Sequence, residues 1–231
     1  MPPPAPVHIL VESSRSHRRR RHRVPIKENW SQEEDISLWK NEKGKYKKRF
    51  LTSETWSCIR EKHLLCSWSS VVWFKHATPK YSFVTWMAMR GRLSTGDWNI
   101  NVDASCVLCQ EPLETADHLF FKCPYSAHIW EALMKGVMES QFTMEWETIT
   151  SLLMEGSNWS EVKIFVSRYI LQSTVHAIWM ERNRRKHNEL PSPSVVLTKR
   201  LDKNMRNRFT TLQRRGDKEL AEGMTFWFGS R

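Results

Sequence analysis

The chain has 231 residues and a mass of 27.5 kDa, enough for one domain of ordinary size with flanks and too few for a large multidomain polymerase. Lys and Arg number 36 against 25 Asp and Glu, a net charge of +11, so attraction to polyanions is the first physical expectation. A hydrophobic share of 40% supplies a core, while a mean hydropathy of -0.58 and no apolar run near about 18 residues exclude a membrane-spanning helix and predict a soluble chain.

The charge is uneven. Residues 1–30 carry seven basic and two acidic groups, residues 31–159 carry 14 and 16, and residues 160–231 carry 15 and seven, so a near-neutral middle lies between cationic flanks. The first flank joins Pro-rich Met1–Pro6 to Arg15, Arg18, Arg19, Arg20, Arg21 and Arg23, with too few apolar residues to offset chain entropy, and reads as a disordered tail over 1–30. Arg18 to Arg21 are candidate nucleic-acid contacts and form a basic run of the nuclear-import kind, which favours a nuclear over a cytoplasmic location; the plain alternative is a solvated basic tail. The start lacks a basic region followed by an apolar stretch, so no secretory leader is expected. Five Cys is an odd, low count, and a reducing compartment follows.

In chain order, Ser31 and Glu34 match a capping box opening a helical turn at Glu33–Trp39, and Lys43–Arg49 reads as a turn into an extended segment. A helix starting at Ser53 places Trp56, Ile59 and His63 on one face, and a short helix covers Ser69–Lys75. Thr78-Pro79 then opens a helix ending at Gly91, whose apolar face is read as Phe83, Trp86 and Met87, with Arg90 in line. A turn is expected at Leu93–Trp98, then helices over Ala116–Lys122 and Ser126–Lys135. Glu161–His187 is apolar on nearly all sides as far as Trp179 and predicts a central helix ending in a cationic turn. Ser192-Pro193 opens a last helix with the stripe Leu197, Leu201, Met205, Phe209 and Leu212 and a basic outer face. Most of the twelve Trp residues, and Cys58 and Cys66, are read as core residues.

Cys106-x2-Cys109-x8-His118-x4-Cys123 carries the chemistry. A Cys-x2-Cys turn presents two thiolates to one Zn2+, and two further N or S donors complete a tetrahedron with no open position, so the expected centre is structural rather than hydrolytic. His128 competes with His118 for the third place, and two further readings are unligated core cysteines and a Cys-x2-Cys redox pair, for which the flanking strand and helix fit poorly.

These motifs resemble a known family. Val72–Lys80, Phe83–Trp86, Gly91–Thr95, the Cys106-x2-Cys109 pair, Glu114–Pro124 and Ile129-Trp130 are together similar to the reverse transcriptase zinc-binding domain of plant LINE-type retrotransposons, over about residues 53–136. The resemblance implies Cys106, Cys109, His118 and Cys123 as ligands of one structural Zn2+, and a place C-terminal to a reverse transcriptase. Ala177–Arg185 is similar to the segment that often follows this domain. The departure is catalytic: the six Asp residues are scattered, with no adjacent pair and no Tyr-x-Asp-Asp string, so no polymerase or ribonuclease H activity is expected.

The expectation is thus a mainly α protein: a tail over 1–30, a small helical domain with a Cys-Cys-His-Cys zinc knuckle over 31–140, a helical basic region over 141–215 and a flexible tail over 216–231. Its expected role is non-catalytic binding of RNA or single-stranded DNA through Arg18–Arg21, Arg182, Arg184, Arg185, Lys186, Arg200, Lys203 and Arg206. The alternatives are a zinc-stapled protein-interaction module that docks a partner helix on the Leu197–Leu212 stripe, and a translated retroelement remnant without selected function.

Overall fold

The structure, a computed structural model, describes residues 37–41, 43–61, 64–93, 104–156 and 158–231. The expected turn at Leu93–Trp98 beyond Leu93, the tail over 1–30 and most of the Glu33–Trp39 turn lie outside them. The chain divides into two units, Met1–Lys62 and His63–Arg231.

In the first unit, Trp39 is not the end of a helical turn. Strands β1 (Trp39–Lys40) and β2 (Tyr46–Lys47) pair antiparallel, Trp39 opposite Lys47, around a turn that Gly44 closes with a positive φ of 75°. Helix α1 (Thr52–Ile59) follows, and Lys47 pairs with its Glu54 at 2.6 Å. No residue of α1 is buried: Trp56 and Ile59, expected on a packed face, are exposed, and so is Cys58. Cys66, in the second unit, is exposed as well, so neither of these two cysteines is a core residue.

The second unit is built around α6 (Glu161–Lys186), the central helix expected from its all-round apolar character. Ser160 caps it by accepting the Lys163 N–H at 3.2 Å. Against it pack α2 (Ser69–Val72), α3 (Pro79–Met89), α4 (Pro124–Met138), α5 (Trp146–Glu155), α7 (Ser194–Arg214) and α8 (Gly223–Gly229). The α7 stripe Leu197, Leu201, Met205, Phe209 and Leu212 is buried throughout, packed on α4 and α6. It is therefore not available to a partner helix.

Helix α3 begins at Pro79 and ends before Gly91, which takes φ of 58°, as the local signals require. Its buried face is instead Tyr81, Ser82, Val84 and Thr85, while Phe83 is 53% exposed and stacks on Trp86 at the surface. The reason is a polar interlock. Buried Gln172 of α6 donates to the Val71 and Val72 carbonyls at 2.9 and 2.8 Å and accepts from the Ser82 hydroxyl at 3.2 Å, so α3 turns its small hydroxyl residues inward.

Within the second unit one core of buried residues runs from Val71 to Trp227 and spans position 140, where the sequence placed a boundary. Residues 216–231 are not a loose tail: α8 buries Trp227 completely, its indole donating to Asp202 at 2.9 Å. Gly136 on α4 and Gly223 of α8 make this docking possible, since a Cβ at either would overlap the Ser230 carbonyl or the Phe209 ring. Of the ten described Trp residues only Trp130 and Trp227 are fully buried; Trp39, Trp56 and Trp73 are exposed. No helix among the described residues is long and apolar enough to cross a membrane.

Candidate metal centre

Residues 104–114 form a tight loop. The Gln110 N–H donates to the Cys106 carbonyl at 2.7 Å, Cys106 N–H to Glu111 at 2.8 Å, and Glu114 N–H to Ala104 at 2.8 Å, with Gln110 at a positive φ of 66°. This turn holds Cys106 and Cys109 side by side.

The other half of the site comes from Ala116–Lys122, and here the helix is not ordinary. Thr115 Oγ1 accepts the His118 N–H at 3.1 Å at its start, and His118–Lys122 then widens into a π-helical turn in which the Cys123 N–H reaches the His118 carbonyl at 2.6 Å. The widening has a geometric purpose. On an α-helix, residues five apart point about 140° away from each other, whereas a turn closed by an i to i+5 bond brings them back to one side. His118 and Cys123 are such a pair.

The donor atoms of Cys106, Cys109, His118 and Cys123 consequently all lie within 4.8 Å of one another. Cys106 Sγ is 4.0 Å from Cys123 Sγ, and Cys109 Sγ is 3.2 Å from His118 Nε2. The edges of a zinc tetrahedron with bonds of about 2.3 Å to sulfur and 2.0–2.1 Å to nitrogen are about 3.8 and 3.6 Å, close to both separations. The set can hold a metal ion, and its three sulfurs and one imidazole suit Zn2+. His128, the competing third donor, is exposed on α4 and outside the group.

The surroundings favour a thiolate at Cys106. The Cys106 thiol is held down to about 4 by the hydrogen bond it shares with Cys123 and, further, by the Leu108 and Cys109 N–H groups, against the cost of its burial. Cys123 is pushed up by the same shared bond and by burial, although the N–H groups of Tyr125 and Ser126 in the first turn of α4 oppose this. Burial also raises Cys109, against an N–H from Glu111. A divalent cation at the group displaces the thiol protons that remain.

Part of the cationic end of α6 fastens this site to the core. Arg182 is 8% exposed and donates through Nε and Nη2 to Oε1 of the fully buried Glu114, at 2.9 and 2.7 Å. Arg185 donates to Glu181 at 2.9 Å, to the Ser192 carbonyl at 3.1 Å and to Leu108, inside the Cys106–Cys109 turn, at 3.4 Å, with its guanidinium 4.6 Å from the Tyr125 ring centroid. Burial drives the Tyr125 hydroxyl up to about 12, and it donates to the Ser192 carbonyl at 2.8 Å. Glu181, 2% exposed, gathers Arg185, Arg184 and the Ser192 N–H.

Arg182 and Arg185 are therefore both tied to groups of this chain, Arg182 buried and Arg185 partly so. Arg184 is partly engaged, with Glu189 at 2.8 Å, and Arg206 pairs with Asp202 at 3.0 Å. Lys186, Arg200 and Lys203 are exposed and make no ion pair with a described carboxylate. Arg18 to Arg21 lie outside the described residues. Glu114, Glu181 and Tyr125 were not singled out from sequence; the one local hint is that Glu114 is an acidic residue between apolar Leu113 and a helix cap, where a free carboxylate has little reason to be.

Residues 50–130 match the family of zinc-binding domains in reverse transcriptases, and all four donors fall inside that span. No curated protein and no solved structure matches the chain.

Proposed function

We propose that this chain is a non-catalytic module of LINE-type retroelement origin that binds one structural Zn2+ through Cys106, Cys109, His118 and Cys123, and binds RNA or single-stranded DNA through surface cations. The observation that carries the reading is the closed four-donor set within a segment matching a reverse transcriptase zinc-binding domain. A closed shell leaves no metal position for water, so the ion's contribution is to stabilise the fold. The absence of any adjacent Asp pair supports a binding rather than a polymerising role. Attraction comes from the Arg18–Arg21 run and from Lys186, Arg200 and Lys203, which lack carboxylate partners among the described residues.

The test is binding of a fluorescent single strand by the zinc-loaded full chain across a salt series. The expected result is binding at low salt that weakens with a log–log slope of about -0.7 per phosphate neutralised. No binding at low salt refutes the nucleic-acid role.

A further inference from the structure

A cleft of about 290 Å³ opens between α3, α6 and α7, lined among others by Lys80, Tyr81, His176, Arg184, Arg200 and Asn204. Three features set it apart from the rest of the surface. Its positive charge is not consumed: Lys80 and Arg200 are exposed and make no ion pair with a described carboxylate. The carboxylate lining it, Glu181, is already saturated by Arg184, Arg185 and the Ser192 N–H. Its polar groups are also idle. The Tyr81 hydroxyl and the Asn204 amide make no hydrogen bond among the described residues, although Tyr81 is otherwise buried.

The walls have a flat aromatic element as well. The His176 ring lies 4.9 Å from the Tyr81 ring, and Lys80 Nζ sits 5.2 Å from the centroid of Tyr81. Burial, and after it the Lys80 charge, keeps His176 below the ordinary imidazole range, so at neutral pH it offers an uncharged ring to a flat group. The volume is at the lower end for a small-ligand site, the size of about one nucleotide unit.

The geometry points to the α3–α6–α7 cleft as the seat of one phosphodiester and its adjoining base from a single strand, with Lys80 and Arg200 on the phosphate, Asn204 and the Tyr81 hydroxyl as donors, and His176 beside the base. This inference rests on the nucleic-acid reading above and narrows it to one site. It also relocates the contact: Arg182 and Arg185 are excluded, and Lys80, on a helix whose sequence reads as near neutral, is included. RNA and single-stranded DNA share the phosphate and the base, and differ only at the sugar.

The test compares the zinc-loaded full chain with a Lys80→Glu, Arg200→Glu variant and with a Lys43→Glu, Lys45→Glu variant of equal net charge. Fluorescent oligo-U RNA and oligo-dT are the probes, and unlabelled polyglutamate is the competitor. The cleft variant is expected to bind at least about tenfold more weakly and to flatten the salt slope by about 0.7, the share of one phosphate, while the Lys43, Lys45 variant changes less than about threefold. The probe whose binding falls more in the cleft variant than in the Lys43, Lys45 variant identifies the strand that the cleft takes and supports the site. Equal losses in both variants, or none in either, overturn the cleft and leave the nucleic-acid reading standing wherever the parent chain binds. A parent that fails to bind overturns both. Displacement by polyglutamate as effective as by unlabelled oligo-U overturns the base-and-phosphate assignment in favour of an acidic peptide. Because charge reversal can unfold a small protein, a Tyr81→Phe, Arg200→Gln variant, which removes one hydroxyl and one charge from the cleft without reversing any charge, is run in parallel; a severalfold loss with unchanged zinc content and circular dichroism supports the site, and unchanged affinity overturns it.

Discussion

Arg182→Met replaces the guanidinium that neutralises Glu114 with an apolar chain of similar length. In the parent chain two N–H groups, 2.9 and 2.7 Å from one carboxylate oxygen, compensate a side chain that is 0% exposed. The other oxygen, Glu114 Oε2, is already buried without a hydrogen bond, so no spare donor waits to take over. Stranding one member of a buried pair costs about 3–5 kcal/mol. An upper limit also applies: a stranded carboxylate escapes by taking up a proton, which at pH 7 costs about 4 kcal/mol from the ordinary carboxylate range. The expected loss is therefore about 3–4 kcal/mol. It is read from urea unfolding followed by Trp fluorescence at a fixed free zinc concentration, because zinc binding to the folded state contributes to apparent stability. The Glu114→Leu, Arg182→Met double variant should recover most of it, with a net loss below about 1.5 kcal/mol, since removing both charges leaves neither unpaired. A loss under about 1 kcal/mol in Arg182→Met, or a double variant whose loss equals the sum of the two singles, refutes the argument that this pair ties the metal loop to α6. A flattened salt slope for nucleic-acid binding in Arg182→Met would show instead that the residue meets phosphate.

Gln172→Leu keeps the volume but strands the Val71 and Val72 carbonyls and the Ser82 hydroxyl, and is expected to lower stability by about 2–4 kcal/mol in the same urea assay. Gly223→Ala drives a Cβ into the buried Phe209 ring and should cost about 1–3 kcal/mol, visible as a lower Tm, whereas Gly216→Ala, in open space at a positive φ, reports backbone strain alone. His176 has a folded-state value below the ordinary imidazole range, chiefly through burial, so the unfolded chain binds its proton first. Its contribution to stability is full above about pH 6.5 and is lost as pH falls through the lower folded value. The urea midpoint should therefore drop between pH 7.5 and 5 more steeply in the parent chain than in His176→Gln; parallel curves would refute the assignment.

The long helices were legible because their signals are local. Ser192-Pro193 marks the start of α7, an all-round apolar run makes α6 central, and the Leu197–Leu212 stripe is buried residue for residue. The four metal donors were legible from type and spacing, but the means of uniting them was not. Nothing in His118–Cys123 distinguishes an α-helical from a π-helical turn until the two side chains are required on one side. The α3 face was misread because periodicity counts apolar residues, whereas the burial was decided by Gln172, ninety residues away in sequence from the Ser82 it meets. The internal partners of Arg182 and Arg185 were not legible for a related reason. An arginine looks the same in sequence whether paired or free, and the partner of Arg182 is sixty-eight residues upstream. Short apolar clusters suffer the opposite error: Phe226–Phe228 is too brief to show a period, and yet Trp227 closes the core.

The central claim is that Cys106, Cys109, His118 and Cys123 hold one zinc ion that organises the loop against α4 and α6. Metal analysis of the purified chain and of three variants tests it directly. The account predicts one zinc per parent chain and per His128→Ala chain, with loss of zinc and of the loop's protection from hydrogen exchange in Cys106→Ser and His118→Ala. Full zinc content in His118→Ala together with its loss in His128→Ala would contradict it.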